Sequence, residues 1–171
     1  MEIFPTLIME ALVVYFSHSG RTKRVAETIA SQLSNYAVDL EGITFTGTFR
    51  DYIEGGPNSI TAGNWSKFIA KETIFDLAPY DLVCVGMPVH GGTPTLVFDA
   101  YLKRCKGLSG KKVCTFQTCR FMPGKSTSTM RQGLEAAGAL VKDQLVCRAM
   151  FRIGTKKAAA FGQRVNAGTG A

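Results

Sequence analysis

The chain has 171 residues, of which 46% are apolar and 19% are charged, enough to bury one full-sized core and too few for two. Its longest apolar stretch, residues 7–16, is interrupted by Glu10 and falls short of the roughly 20 residues that span a bilayer. No segment resembles a signal peptide, and five cysteines without a C-x-x-C pair suggest neither a disulfide framework nor a zinc site. We therefore expect one soluble, cytoplasmic domain over residues 1–171, with residues 1–9 as an N-terminal extension and no membrane association.

The charge is distributed unevenly along the chain. Residues 1–102 contain 6 Lys/Arg and 11 Asp/Glu, a net charge of −5, whereas residues 103–171 contain 14 Lys/Arg and only Glu135 and Asp143, a net charge of +12. A basic half of this kind indicates either a solvated surface or an acidic partner or phosphate-bearing ligand. No nucleic-acid-binding motif accompanies the charge, so we expect no nucleic-acid partner.

Strand-like and helix-like patterns alternate along the chain. Apolar runs of strand length occupy residues 11–17, 37–43, 81–88, 111–118 and 140–153, the last as one strand or two. Helical patterns lie near residues 22–34, 64–72, 94–106, 125–138 and 155–166. Asn64 and Thr155 are predicted helix caps, and Pro94 is predicted in a first turn. The alternation predicts an α/β fold, a doubly wound five-stranded parallel sheet with helices on both faces.

The segment FSHSGRT, residues 16–22, joins the first predicted strand to the first predicted helix. The first N–H groups of a helix have no intrahelical partner, and the positive end of the helix dipole lies at the same place. Gly20 permits a tight turn, and the hydroxyls of Ser17, Ser19 and Thr22 can donate to an anion. The pattern predicts a phosphate site, with an ordinary helix cap as the alternative.

Two other nucleotide-binding patterns fit poorly. The dinucleotide pattern G-x-G-x-x-G is absent at this junction, where HSGRTK has a single glycine. The segment CRFMPGKS, residues 119–126, approaches the G-x-x-x-x-G-K-[ST] loop of nucleotide triphosphatases but has Cys119 in place of the first glycine. The strand DLVCVG also lacks a terminal aspartate that could help to hold Mg²⁺. These departures argue against both classes.

Three segments, YFSHSGRTKRVAETIA, YDLVCVGMPVHGGTPTLVFDAYL and KKVCTFQTC, resemble the flavodoxin family, and the resemblance covers roughly residues 11–153. It implies a sheet of strand order 2-1-3-4-5 with FMN beyond the carboxyl ends of the strands. In that family a Ser/Thr-x-Ser/Thr-Gly-x-Thr loop holds the FMN phosphate. By resemblance, the phosphate-binding residues are Ser17, His18, Ser19, Gly20, Arg21 and Thr22.

The resemblance also implies that two further loops enclose the flavin ring. Their residues are Pro88, Val89, His90, Gly91, Gly92 and Thr93 in one loop, and Thr118, Cys119, Arg120, Phe121 and Gly124 in the other. In flavodoxins a carbonyl of the first loop can accept the N5 proton of the reduced flavin, and its glycines let the backbone approach the ring. An aromatic residue is common in the family where this chain has His90, and an imidazole would make the flavin potential sensitive to pH near neutrality.

We expect Cys119 to be a packing residue, because no second cysteine stands at a resolving spacing. The resemblance implies an FMN-binding redox protein that passes electrons between a donor and an acceptor. Its partner would be another redox protein, acidic like a ferredoxin, or NAD(P)H. Two alternatives stay open: an NAD(P)H-dependent FMN/quinone reductase, and a module that binds a phosphate ligand without redox chemistry. Carriers of this family are commonly acidic, and this chain is basic.

Overall fold

The computed structural model describes residues 7–47 and 69–168 of the chain. Its strands and helices are, in chain order, β1 (Met9–Tyr15), α1 (Arg21–Gln32), β2 (Tyr36–Gly42), β3 (Leu82–His90), β4 (Thr93–Pro94), α2 (Leu96–Arg104), β5 (Lys112–Cys119), α3 (Ser126–Ala136), β6 (Leu140–Arg148) and α4 (Lys156–Asn166). No helix within these ranges is long and apolar enough to cross a membrane.

Five of the six strands are parallel and lie in the order β2-β1-β3-β5-β6. Numbered as the sequence predicts them, these are strands 2-1-3-4-5, so the predicted fold class and strand order are confirmed. The sixth strand, β4, is two residues long and pairs antiparallel with the end of β3. The last predicted strand is unbroken, and a register shift opposite Val113 and Cys114 accommodates Lys142 as an extra residue.

The sheet is buried on both faces, which explains why its central strands are continuous apolar runs. Alternate residues of each strand point to opposite faces, so β1 contributes Leu12 and Val14 to one core and Val13 to the other. The first core also contains side chains of α2 and α3, and the second contains side chains of α1 and α4. The helices therefore cover both faces, and the loops at the carboxyl ends of the strands are left at one edge of the sheet.

Two local predictions differ from the structure. Of the helix predicted near residues 64–72, the structure describes only the part from Ile69 onward, and that part is not helical. Ile69 forms an isolated β-bridge with Phe45, and a turn follows. The side chain of Ile69 packs into the first core, which explains its apolar character. The predicted cap Asn64 lies outside the described residues. Pro94 is wrong as a first-turn residue: it belongs to β4, and α2 begins only after Thr95. Thr155 does precede α4, but its side chain makes no capping hydrogen bond.

Gly86 in the middle of β3 leaves the space that the ring of Phe116 fills. The two residues are direct partners in the parallel pairing of β3 with β5, so their side chains would point the same way. A Cβ atom built on Gly86 would lie 2.0 Å from Cε2 of Phe116, which is completely buried. The ring is therefore accommodated only because residue 86 has no side chain.

Gly86→Ala should lower the free energy of unfolding by about 1–3 kcal/mol, the usual cost of overpacking a core. Urea denaturation followed by circular dichroism measures the loss. Gly154→Ala is the matched control, since a Cβ there meets no atom within 4 Å, and its effect should stay within about 0.5 kcal/mol. Phe116→Leu should relieve the clash, so the double variant Gly86→Ala/Phe116→Leu should lose less free energy of unfolding than the sum of the losses in the two single variants. Losses that add exactly would contradict the explanation.

Candidate functional site

The loop between β1 and α1 folds into a tight turn just before the helix begins. Gly20 has φ 84° and ψ −3°, a left-handed conformation that favours glycine, and its N–H donates to Oγ of Ser17 over 3.1 Å. No side chain caps the start of α1. The N–H groups of Ser19, Arg21, Thr22 and Lys23 have no hydrogen-bond partner among the residues that the structure describes. The helix therefore begins with a cluster of available donors.

Thr22 links this loop to the end of β5. Its buried hydroxyl lies 2.8 Å from the hydroxyl of Thr118, the last but one residue of β5. A pair of hydroxyls uses only one of its two protons in the shared hydrogen bond. The second proton can be donated to a ligand, so the pair can fix the loop and still contribute a donor.

Arg21 does not point into water but binds the loop that follows β6. Its Nη1 donates to the carbonyl of Ala149 over 3.0 Å, and its Nη2 donates to the carbonyls of Met150 and Phe151 over 2.9 and 2.8 Å. Hydrogen bonds from a charged donor are each worth about 1.5–3 kcal/mol, so the contact holds residues 149–151 against the start of α1. Lys23, in contrast, is exposed and forms an ion pair with Glu27 at 3.8 Å.

The segment after β3 turns back on itself as a short hairpin. His90 pairs with Thr93, and Gly91 and Gly92 form the two-residue connection with φ values of 60° and 77°. Two successive positive φ angles are the requirement of a type I′ hairpin turn, which explains the Gly-Gly pair. Sequence reasoning missed β4, although a two-residue Gly-Gly connection is itself a hairpin signal.

The loop after β5 approaches this hairpin through the backbone of two glycines. Gly124 has φ 55°, and a Cβ built on it would lie 2.6 Å from Cα of Gly92 and 2.8 Å from the Gly92 carbonyl oxygen. A side chain at residue 124 would therefore force the two loops apart. Because neither glycine has a side chain, the two loops can lie close together while no side chain of these two residues occupies the space between them.

Gln117 anchors the far end of the same loop and was not predicted from the sequence. Its Nε2 donates to Oγ of Ser126 over 2.6 Å, and its Oε1 accepts from Oγ1 of Thr127 over 3.0 Å. Both partners lie in the first turn of α3, and Gln117 and Ser126 are buried. The only sequence signal is a glutamine inside a strand of buried residues, because a buried polar side chain must find partners.

These three loops surround a cleft of about 710 Å³ at the carboxyl edge of the sheet. Fourteen of the seventeen residues predicted for the site line it: His18, Ser19, Arg21, Thr22, Pro88, Val89, His90, Gly91, Gly92, Thr118, Cys119, Arg120, Phe121 and Gly124. Of the described residues, Met122 lines it in addition, whereas Ser17, Gly20 and Thr93 do not. Among the residues that the structure describes, the lining contains Arg21 and Arg120 and no aspartate or glutamate, so its charge suits an anion.

Ser17 and Thr93 do not line the cleft but stabilise two of its loops through hydrogen bonds. Ser17 accepts the N–H of Gly20, and Oγ1 of Thr93 donates to the carbonyl of His90 over 3.1 Å. Cys119 lines the cleft but is buried, and burial raises the pKa of its thiol while the nearby Arg148 partly offsets this. A thiol with a raised pKa stays protonated at neutral pH and is a poor nucleophile, which agrees with a packing role.

The two histidines of the chain face the same cleft. Removal from water lowers the pKa of His90 below its ordinary value of 6.5, and the nearby charge of His18 lowers it further. His90 is therefore neutral at pH 7. Because its folded-state pKa lies below its unfolded value, the contribution of His90 to stability is complete above about pH 6.5 and is lost as the pH falls through the folded-state pKa.

His18→Gln should raise the pKa of His90 while leaving it below 6.5, because the variant removes the repulsion but not the desolvation. Titration of the His90 Cε1–H resonance by NMR in the flavin-free protein measures the change. Ser19→Ala, a neutral change in the same loop, is the control and should leave the pKa of His90 where it was. An unchanged pKa in His18→Gln would show that the two imidazoles do not interact.

A sequence model of the flavodoxin family matches residues 10–137, about three quarters of the chain. No curated protein matches the chain in sequence. Among solved structures, a candidate flavoprotein from Bacteroides eggerthii is similar with 21% identity and a TM-score of 0.66, covering 92% of this chain and 98% of its own.

Two further structures share the fold. A flavoprotein from Lactobacillus acidophilus in complex with FMN is 23% identical, with a TM-score of 0.55 and coverage of 81% of this chain and 93% of its own. The two-electron-reduced flavodoxin of Megasphaera elsdenii is 18% identical, with a TM-score of 0.56 and coverage of 92% and 98%. Identities this low show a common fold, and the sequence model shows more: the chain belongs to the flavodoxin family, whose members use FMN.

Proposed function

We propose that the cleft binds FMN and that the protein transfers electrons between a donor and an acceptor. The main support for the proposal lies at the start of α1. There the N–H groups of Ser19, Arg21, Thr22 and Lys23 lack hydrogen-bond partners among the described residues. They lie at the positive end of a 12-residue helix, beside a cleft that residues 7–47 and 69–168 line without a carboxylate. A terminal phosphate is the ligand group that such donors suit best.

The rest of the cleft fits the remainder of the cofactor. Its volume of about 710 Å³ lies within the range of roughly 300–1,000 Å³ that is usual for small-molecule sites. The Gly91-Gly92 turn and Gly124 present backbone rather than side chains, so a planar ring can approach them closely. Phe121 and Met122 are more than half exposed at the mouth, where a ring would cover part of their apolar surface.

The residues of the chain have separate tasks in this arrangement. The free amides and the hydroxyl of Ser19 bind the phosphate, and the Thr22–Thr118 pair fixes that loop relative to β5. His90 is neutral at pH 7, so its imidazole can donate or accept a hydrogen bond with a bound ligand without placing a positive charge beside that ligand. FMN, when bound, supplies one-electron and two-electron redox chemistry.

Two structures with the same fold support this proposal through their cofactor and redox state. The Lactobacillus acidophilus flavoprotein is in complex with FMN, and the Megasphaera elsdenii flavodoxin is in a two-electron-reduced state. Both share the fold of this chain, which supports the proposal that its loops hold the same cofactor. We extend FMN binding and electron transfer to this chain on the strength of its own donors and glycines together with its family.

Turnover measurements distinguish an electron carrier from the two alternatives. The FMN-loaded protein is mixed anaerobically with NADPH, NADH or a reduced acidic ferredoxin, in the presence and absence of a quinone, and the flavin absorbance is followed. A carrier should be reduced by ferredoxin and should not sustain NAD(P)H oxidation. Continuous NAD(P)H oxidation with a quinone would identify a reductase, and a protein that does not retain FMN would identify a phosphate-binding module. Free FMN at the same concentration is the control.

A further inference from the structure

Four exposed apolar side chains lie together beside the cleft, on the loops that follow β5 and β6. They are Phe121, Met122, Met150 and Phe151, which expose between 53% and 84% of their surface. Phe121 and Met122 also line the cleft. Single exposed apolar residues are normal on a protein surface, but a group of large ones beside a binding site marks an interaction surface. We call this group the apolar rim.

Contacts between the two loops hold the apolar rim in place. The N–H of Ala149 donates to the carbonyl of Cys119 over 3.0 Å, and Nη1 of Arg148 lies 3.6 Å from Sδ of Met122. The three hydrogen bonds of Arg21 hold the carbonyls of residues 149–151 from the other side. A surface fixed in advance loses little conformational freedom when a partner binds.

The charge around the apolar rim has a single sign. Arg120, Arg148 and Arg152 are exposed and stand next to rim residues in the chain or in contact with them. Residues 118–134 and 144–171 contain no aspartate or glutamate at all. None of these three arginines forms an ion pair with a carboxylate in the part of the chain that the structure describes. Their charge is therefore available to an outside partner.

We infer that the apolar rim and its three arginines form a docking surface for an acidic redox protein, an inference that rests on the proposed function. Positive charge on one surface attracts a negative surface over distances of about a Debye length and raises the encounter rate. Phe, Met and Arg are among the residues enriched in protein–protein interfaces, whereas a surface that binds lipid headgroups is usually an amphipathic helix rich in Lys and Arg. The rim consists of two loops around a concave site, which favours a protein over a membrane.

Docking at this surface would place the partner's redox centre against the mouth of the cleft. With a one-electron donor such as a reduced iron–sulfur protein, each encounter would oxidise the donor by one electron, and FMN held in the cleft would supply the acceptor for that electron. Full reduction would take two donor molecules for each FMN, with the accompanying protons from water. The surface itself contributes attraction and orientation, and it takes no part in covalent chemistry.

Calorimetric titration with an oxidised, acidic plant-type ferredoxin tests the surface without depending on electron transfer. The FMN-loaded protein should bind this probe at least tenfold more tightly at about 0.01 M salt than at about 0.1 M, because the Debye length falls from about 30 Å to about 10 Å. The double variant Arg148→Glu/Arg152→Glu should lose at least tenfold in affinity at the lower salt. Phe151→Ser should weaken binding at both salt concentrations, since an apolar contact is not screened.

Matched controls lie at the opposite edge of the sheet. Lys112→Glu changes the same kind of charge at the start of β5, and Leu7→Ser removes an apolar side chain that is 89% exposed, compared with 84% for Phe151. Both should bind ferredoxin like the wild type. FMN affinity should be unchanged in every variant, because none of the substituted residues lines the cleft. Basic cytochrome c should show the reverse preference and bind the double arginine variant better than the wild type.

Two results would overturn the inference. One is equal ferredoxin affinity in the wild type and in Arg148→Glu/Arg152→Glu, including no binding by either. The other is binding to phosphatidylserine vesicles that requires the same arginines while ferredoxin does not bind, which would assign the surface to a membrane. A protein that fails to retain FMN but still binds ferredoxin through the rim would contradict the proposed function and leave the docking surface intact.

Discussion

Backbone hydrogen bonds hold β1, β3 and β5 parallel and adjacent, and the position of every loop around the cleft depends on that pairing. Parallel strands end at the same edge of a sheet, so the segments after Tyr15, His90 and Cys119 have to meet there. The pairing in turn requires strands that can be buried on both faces. Gly86 shows how tightly the buried faces of these strands are packed, since the ring of Phe116 occupies the space that any side chain at residue 86 would need.

Backbone groups have two separate roles around the cleft. Amides at the start of α1 supply the donors, and glycines at residues 91, 92 and 124 let two loops approach each other and a ligand. Side chains mainly hold these loops in position: Thr22 against Thr118, Arg21 against residues 149–151, and Gln117 against the start of α3. Binding through fixed backbone dipoles would need no lysine at the phosphate, and the nearby cations have other partners: Arg21 binds the carbonyls of residues 149–151, and Lys23 pairs with Glu27.

Most of the fold could be predicted from the sequence because long apolar runs and helical periodicity are strong, local signals. The loop proposed to bind the phosphate could be predicted for the same reason: Ser17 to Thr22 stand together in the chain. Arg21 shows the limit, since its partners at residues 149–151 are about 130 positions away and no local pattern reports such a contact. The same holds for Gly124 against Gly92, and for Ile69, which a helical pattern misassigned because its burial is set by the distant core.

The central claim is that the amides at the start of α1 hold the phosphate of FMN, and amide NMR tests it most directly. Spectra of the ¹⁵N-labelled protein are recorded without ligand, with FMN and with riboflavin, which lacks the phosphate. We expect large downfield proton shifts for the amides of Ser19, Arg21, Thr22 and Lys23 with FMN, because each becomes a donor to a charged oxygen. Riboflavin should shift the amides of Gly91 and Gly92 and leave those four unchanged. Equal shifts of the four amides with both ligands, or none with FMN, would contradict the account.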